Sequence, residues 1–257
     1  MLEEVTPGEV ATDDEPAESR NVMEAICTLG LTRVEWAAAF AQRAFVLGGG
    51  RETVIILEQT TSGARHKAIE LAREKKTDIL FFWDDDIIPL NRNNQAGMIA
   101  AMAYNPHIDV IGGVYPIRRD FPEPIVVQQE GGPAYWGWQD KKIHKVYMVG
   151  TAFMAIRMSS FADIPLPWFD DSELTSDDYT FAALCARNGK SVYIDGRAIC
   201  DQIDLNGRRY NIDEGVSDLT VSKIADYKFK ELQLSGHRTI RRPRARGSGA
   251  IGINGHE

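Results

Sequence analysis

Two clusters of carboxylates in this sequence have types and spacings that could support chemistry. Asp84–Asp86 directly follow the apolar run Ile79–Trp83, which predicts a strand buried on both faces. Open α/β sheets bind ligands at the carboxyl ends of their strands, which is where these carboxylates fall. Adjacent negative charges repel one another, and a divalent cation relieves the repulsion because hard cations prefer carboxylate oxygens. A solvated acidic turn is the alternative, but the preceding buried strand favours a metal site.

The second cluster, Asp177 and Asp178, permits two interpretations. Thr175 or Ser176 is a suitable N-cap for a helix that begins here, and acidic residues in a first turn complement the helix dipole. Alternatively, one of the two carboxylates is a general base held over the metal site. Spacing alone favours the capping interpretation.

Alternating strands and helices must position these carboxylates. The predicted strands before residue 115 are Val22–Thr28, Thr53–Leu57, Ile79–Trp83 and Asp109–Val114, and the predicted helices between them are Val34–Leu47, Ala64–Lys76 and Asn94–Tyr104. This order predicts an α/β fold, with a mostly parallel central sheet and helices on both faces. Arg65 lies near a helix start, where backbone N–H groups favour an anion, although a solvated surface charge explains it equally well.

A loop-rich insert, residues 116–147, interrupts this pattern. Its predicted strands, Ile125–Gln128 and His144–Val149, are short, and we expect them to pair antiparallel. The insert carries the aromatic residues Tyr135, Trp136 and Trp138. These rings either stack on the apolar faces of sugars or bases, or fill a small secondary core, and the sequence leaves both uses open. After the insert we predict a strand at Val149–Arg157, a helix at Asp178–Arg187 and a strand at Ser191–Asp195.

Composition narrows the class of protein. The chain has 257 residues, of which 44% are hydrophobic and 26% charged, enough for the core of an ordinary globular protein. Its net charge of -8 argues against a general nucleic-acid coat and is compatible with a substrate whose charge arrives with a metal. The cysteines Cys27, Cys185 and Cys200 lack CxxC spacing, which predicts neither a disulfide framework nor a zinc site.

The sequence also predicts location and domain limits. We see no secretory signal and no membrane span, so we expect a cytoplasmic protein, in the host cytoplasm if the source is viral. Residues 1–20 are acidic and predict a disordered arm, and residues 21–210 predict the folded domain. Residues 211–257 predict a C-terminal extension whose basic tail is disordered.

Three segments together resemble a known family. They are Phe82–Ile87, which looks like a DxD motif, Val149–Arg157, which is similar to a Gly-Thr strand, and Ser176–Phe181, which looks like a Glu-Asp catalytic motif. In this order they resemble the GT-A fold glycosyltransferases of the family 2 type, which are common in phage and bacterial sequences. The resemblance extends over residues 21–204.

The resemblance implies a site and a mechanism. Asp84 and Asp86 would hold Mn²⁺ or Mg²⁺, with Asp86 the more direct ligand, and the metal would neutralise the diphosphate of a nucleotide-diphosphate sugar. Asp178 would take the proton from an acceptor hydroxyl in an inverting attack, and Asp177 would orient the acceptor. The residues expected to line the nucleotide-sugar pocket are Thr28, Arg65, Asp84 and Asp85. The acceptor would be a glycan or another hydroxyl-bearing molecule, a modified nucleic-acid base included.

Two departures from the family pattern affect this assignment. Many relatives carry a metal-binding His after the last strand, whereas this chain has Asp201 and Gln202 there, and either could substitute for it. The catalytic pair is Asp-Asp in place of Glu-Asp, so its reach is shorter. These departures keep open a catalytically silent sugar- or partner-binding protein on the same fold. A nucleotidyltransferase also uses strand-end carboxylates and a metal, but the Gly-rich loop usual after its first strand is not evident at Cys27–Arg33, so it ranks lower.

Overall fold

The computed structural model describes residues 21–28, 34–43, 51–57, 60–118, 122–170 and 176–212. The predicted acidic arm lies outside these ranges, and so does the extension beyond residue 212. The limits of the arm and of the extension therefore stay predictions.

The central sheet is mostly parallel, as the sequence predicts. The strands are β1 (Val22–Thr28), β2 (Arg51–Leu57), β3 (Ile79–Trp83), β4 (Ile87–Pro89), β5 (Val110–Val114), β6 (Val126–Val127), β7 (Ile143–Val146), β8 (Met148–Val149), β9 (Phe153–Arg157), β10 (Val192–Ile203) and β11 (Arg209–Tyr210). Their order across the sheet is β11-β10-β5-β9-β3-β1-β2. Strands β2, β1, β3, β5 and β10 share one direction, and β9 runs against its neighbours β3 and β5.

Helices cover both faces of the sheet. They are α1 (Val34–Gln42), α2 (Thr61–Glu74), α3 (Asn94–Tyr104) and α4 (Asp177–Arg187). Successive side chains of a strand point to opposite faces. In β1, Ala25 accordingly packs in the core beneath α2 and α4, and Ile26 packs in the core beneath α1 and α3. None of the described helices has the length and apolar character needed to cross a bilayer.

Some predicted bounds hold and others do not. The helix predicted over Val34–Leu47 ends at Gln42 as α1. The strand predicted over Val149–Arg157 is interrupted by a turn at residues 150–152 and resumes at Phe153 as β9. β1, β3 and α3 begin and end where the sequence predicts, and every residue of β3 is buried. The strand predicted to end at Asp195 instead continues to Ile203 as β10. Its register against β5 shifts between Ile194 and Ile199, so a local irregularity lets the strand pass Gly196.

The insert adds short antiparallel strand pairs, one of them on β10. β6 pairs with β8, and β7 pairs with β10, both antiparallel. Trp138 is 0% exposed, and Tyr135 and Trp136 pack against the same hydrophobic core. These contacts favour a packing role for the three aromatic residues, although the core that they join is the main one beneath α2 and α4 and not a small secondary core.

The direction of β9 determines where the preceding turn lies. Because β9 is antiparallel to β3, its first residue, Phe153, pairs with Trp83, the last residue of β3. The turn at residues 150–152, which we call the 150–152 turn, therefore reaches the edge of the sheet where Asp84–Asp86 begin.

Candidate active site

A cleft of about 310 Å³ opens at the carboxyl ends of the parallel strands. Its charged and amide-bearing lining residues are Arg65, Asp84, Asp86, Arg118, Asp177, Asp178 and Gln202. The two acidic clusters, which are far apart in the sequence, thus meet in one cleft. This is the site that a parallel sheet offers to a ligand.

Arg65 joins the two acidic clusters. It lies in the first turns of α2, a helix whose N-cap Thr60 accepts a hydrogen bond from the N–H of Gly63. The Arg65 side chain is 2% exposed. Its Nη2 donates to Asp84 Oδ2 at 2.8 Å, and its Nη1 donates to Asp177 Oδ2. The guanidinium fork suits this arrangement because it presents several donors in one fixed plane.

Asp84 is in an environment that disfavours its charge. Burial raises its pKa to about 7, the neighbouring charges of Asp86, Asp177 and Asp85 also raise it, and Arg65 opposes the increase. Asp84 Oδ1 is buried and has no hydrogen-bond partner among the described residues. A buried acceptor without a partner costs free energy, and a bound cation would satisfy it.

Asp85 and Asp86 point to different partners. Thr28, at the end of β1, donates its hydroxyl hydrogen bond to Asp85 Oδ2. Asp86 Oδ2 accepts a hydrogen bond from Gln202 Nε2 at 3.0 Å and lies 3.3 Å from Arg118 Nη1. Asp84 and Asp86 therefore line the cleft, while Asp85 is bonded toward β1.

The two residues considered in place of the family's His lie in different surroundings. Gln202 pairs with Ile87 and reaches Asp86, whereas Asp201 pairs with Ile88, one residue further along β4. Neighbouring residues of a strand point to opposite faces. The carboxylate of Asp201 accepts a hydrogen bond from Arg209 Nε, and burial raises its pKa against the opposing effect of Arg209. The structure brings Gln202, and not Asp201, to the carboxylates of the cleft.

Asp178 is held by the 150–152 turn. Its Oδ1 accepts hydrogen bonds from the backbone N–H and the hydroxyl of Thr151, both at 2.8 Å. Burial raises the pKa of Asp178, the charge of Asp177 adds to this, and the bonds from Thr151 and the charge of Arg65 oppose it. Ser176 is the N-cap residue of α4, but its side chain makes no capping hydrogen bond.

The charges that line the cleft do not balance. Four carboxylates, Asp84, Asp86, Asp177 and Asp178, face two guanidinium groups, Arg65 and Arg118. Among the described residues, no three His, Cys, Asp or Glu side chains are grouped in a way that would hold a metal by themselves. Asp84 and Asp86 do offer hard carboxylate oxygens, and Asp84 Oδ1 has no partner among the described residues, whereas Gln202 presents its amide N–H to Asp86. The residues therefore fit a divalent cation that takes its other ligands from substrate or water.

Sequence reasoning missed three residues of the site. Thr151 belongs to the Gly-Thr strand segment of the resemblance, but nothing in the sequence paired it with Asp178. Arg118 lies in the insert, and its approach to Asp86 depends on a long-range contact. Tyr115 is buried, and its hydroxyl oxygen accepts a hydrogen bond from the N–H of Ala152 at 3.0 Å. Burial, followed by the charge of Asp178, raises the pKa of Tyr115 well above its usual range.

Solved structures share this fold. A197 from STIV matches with a TM-score of 0.54 and 15% identity, over 75% of this chain and 94% of A197. GalNAc-T7, solved with UDP, GalNAc and Mn²⁺, matches with a TM-score of 0.51 and 10% identity, over 76% of this chain and 45% of GalNAc-T7. No family model and no curated protein sequence matches the chain. The chain has a GT-A-like fold, the fold of nucleotide-sugar transferases.

Proposed function

We propose that this chain is a metal-dependent glycosyltransferase that moves a sugar of the hexosyl type from a nucleotide-diphosphate sugar to an acceptor hydroxyl. One observation carries the proposal: Asp84, Asp86 and Asp178 line a single cleft at the strand ends of a GT-A-like sheet. The carboxylates after β3 supply cation ligands, and the carboxylate of α4 supplies a base. We propose that the reaction takes place in the cytoplasm.

The excess of negative charge in the cleft supports the need for a metal. When the four carboxyl groups are ionised, only two guanidinium groups offset them, and a diphosphate would be repelled. We assign Asp84 and Asp86 as the protein ligands of Mn²⁺ or Mg²⁺, joined by Gln202 when its amide turns its oxygen to the ion. We leave Asp201 out because it does not line the cleft. The bound ion would neutralise the diphosphate and stabilise the leaving group.

Other residues of the site would bind and orient the donor. Arg118 pairs with Asp86 at the rim of the cleft, where its guanidinium could turn to a phosphate oxygen. Thr28 and Asp85 are bonded to each other at the end of β1, and we assign them to the nucleoside. Arg65 is engaged by two carboxylates, so its role is to fix Asp84 and Asp177 beside the donor.

Asp178 would act as the general base. Its pKa is raised by burial and by Asp177, which brings its basicity closer to that of an effective base near neutral pH. The acceptor hydroxyl would give its proton to Asp178 and attack the anomeric carbon from the side opposite the diphosphate, which inverts the configuration. Asp177, fixed by Arg65, would orient the acceptor, for which a glycan or a modified nucleic-acid base is a candidate.

The proposal is tested by screening nucleotide-diphosphate sugars for thermal stabilisation with and without Mn²⁺. A ligand at 100 times its Kd stabilises the native state by about 2.7 kcal/mol. We expect one donor to stabilise the protein only when Mn²⁺ is present, and we expect Asp86→Ala to lose that effect. Asp163→Ala is the matched control, because Asp163 is exposed and lies outside the cleft. If no donor gives a metal-dependent shift, the assignment of Asp84 and Asp86 is wrong.

A catalytically silent sugar-binding protein is the second candidate. The observation in its favour is that Arg65 and Arg118 already engage one oxygen each of Asp84 and Asp86. This function would be favoured if the protein binds a donor but transfers its sugar neither to an acceptor nor to water. Turnover of the donor would exclude it.

A further inference from the structure

The 150–152 turn contacts both acidic clusters. The N–H of Asp84 donates to the carbonyl oxygen of Ala152 at 2.8 Å, which joins the turn to the end of β3. On the other side, Thr151 donates its backbone N–H and its hydroxyl to Asp178 Oδ1. The turn therefore sets the position of the proposed base relative to the proposed metal ligands.

The two bonds from Thr151 distinguish the oxygens of Asp178. An ionised carboxylate oxygen has about two lone-pair directions, and both on Oδ1 are used by Thr151. Oδ2 makes no hydrogen bond with the described residues, and Asp178 lines the cleft. Among the described residues, Oδ2 is thus the oxygen of Asp178 whose lone pairs are not used, and the bonds to Oδ1 fix the plane in which it lies.

Tyr115 holds the turn from the side of the core. Its side chain is 2% exposed, and its hydroxyl oxygen accepts the hydrogen bond of the Ala152 N–H. The ring lies so close to Gly150 that a Cβ added there would come within 2.0 Å of the Tyr115 hydroxyl oxygen. The turn is therefore packed against a rigid aromatic ring on one side and bonded to Asp178 on the other.

We infer that Thr151 is the positioning residue of Asp178, that Oδ2 is the oxygen that receives the proton, and that Tyr115 keeps the turn in place. The inference rests on the proposed function. In the step concerned, the proton of the acceptor hydroxyl passes to Asp178 Oδ2, and the acceptor oxygen forms a bond to the anomeric carbon. The bond from that carbon to the diphosphate oxygen breaks, and the leaving nucleoside diphosphate keeps the electron pair.

Substitutions of Thr151 test the contribution of its hydroxyl separately from that of its backbone N–H. Thr151→Val keeps the size of the side chain and loses one hydrogen bond to Asp178, whereas Thr151→Ser keeps that bond. A misplaced catalytic group can cost about 100-fold in rate, so we expect Thr151→Val to lower kcat by about 10- to 100-fold. The KM for the donor should stay unchanged, and Thr151→Ser should restore most of kcat. Tyr115→Phe should act in the same direction because it leaves the Ala152 N–H without its acceptor.

A second measurement does not need turnover. The pKa of the Asp178 carboxyl can be followed by ¹³C NMR in the free protein, with the signal assigned from Asp178→Asn. The bonds from Thr151 favour the charged carboxylate, so Thr151→Val should raise the pKa of Asp178 and Thr151→Ser should leave it near the wild-type value. Thr77→Val, at a buried threonine outside the cleft, is the control and should change neither kcat nor this pKa.

The two measurements distinguish a failure of the inference from a failure of the proposed function. If Thr151→Val leaves the pKa of Asp178 unchanged, Thr151 does not hold this carboxylate and the inference is overturned, whether or not the protein is a transferase. If the pKa rises as expected but the wild type transfers no sugar, the contact is supported and the proposed function has failed. An active wild type with an unchanged kcat in Thr151→Val would also overturn the inference.

Discussion

Arg65 donates hydrogen bonds to carboxylates that belong to different elements, Asp84 after β3 and Asp177 at the start of α4. Its position near a helix start suggested either an anion site or a solvated charge. Instead, the side chain is buried, and the anions that it binds are the protein's own. The sequence could not indicate this, because both partners reach Arg65 only after the sheet has formed.

We expect Arg65→Met to lower the free energy of unfolding by about 3–5 kcal/mol, because removing one partner of a buried ion pair leaves uncompensated charge behind. Urea unfolding with a constant m-value would measure the change. Arg92→Met is the control, since Arg92 is exposed and its replacement should stay within about 0.5 kcal/mol. Equal stability of Arg65→Met and the wild type would mean that the ion pairs contribute nothing net.

Gln202 and Asp201 illustrate a limit of sequence reasoning at the level of single residues. Both were candidate metal ligands because both follow the last predicted strand. Which of them faces the cleft depends on the pairing of β10 with β4, where a slip of one residue exchanges the two sides. Asp84 and Asp86, by contrast, could be placed in advance because they directly follow a strand buried on both faces.

Among the elements, β10 departs most from its predicted form. The sequence indicated a strand that ends near Asp195, yet β10 continues through an irregularity to Gln202, which is how that residue reaches Asp86. The irregularity depends on Gly196, where an added Cβ would lie 2.2 Å from the carbonyl oxygen of Trp138. A glycine within a strand pattern signals such a feature but does not reveal how far the strand continues.

Gly196→Ala should therefore destabilise the protein by about 1–3 kcal/mol, as overpacking against fixed backbone does. Gly97 provides the contrast: it lies within α3, and nothing lies within 4 Å of an added Cβ. Gly97→Ala should stabilise the protein by about 0.5–1 kcal/mol, because alanine favours the helix. Thermal and urea unfolding of both variants would measure the two opposite changes. The same sign for both would contradict this account of Gly196.

The direction of β9 could not be predicted from the sequence either. A buried strand has a run of apolar residues whether it is parallel or antiparallel to its neighbours. The apolar run Phe153–Arg157 therefore predicts a strand but not its direction. The helices and the parallel strands were predictable because their alternation along the chain limits the number of arrangements. The reversal at β9 is what brings Thr151 to Asp178.

For the molecule as a whole, the concentration of carboxylates at one edge makes stability depend on pH. The pKa of Asp84 is about 7 in the folded protein and near 3.8 as an ordinary side chain, so the folded state binds this proton more tightly than the unfolded state does. The contribution of Asp84 to stability is therefore fully present below about pH 4 and is lost as the pH rises through about 7.

We expect the free energy of unfolding, measured without divalent ions, to decrease between pH 4 and pH 7 more steeply in the wild type than in Asp84→Asn. The comparison concerns the slopes, because Asp84→Asn also weakens the contact with Arg65 and so changes the overall stability. Urea unfolding at a series of pH values would give both slopes. Parallel curves for the two proteins would show that Asp84 does not titrate in this range.

The long-range contacts that build the cleft also determine when, during folding, this protein becomes able to bind a ligand. The walls of the cleft come from distant parts of the chain, and the contact of Arg65 with Asp177 spans 112 residues. Contacts of such long range form late, because the entropy of closing large loops must be overcome first. A newly synthesised chain would therefore expose Asp84–Asp86 well before the cleft around them has formed. Binding of a ligand in the cleft would therefore indicate that the sheet has formed completely.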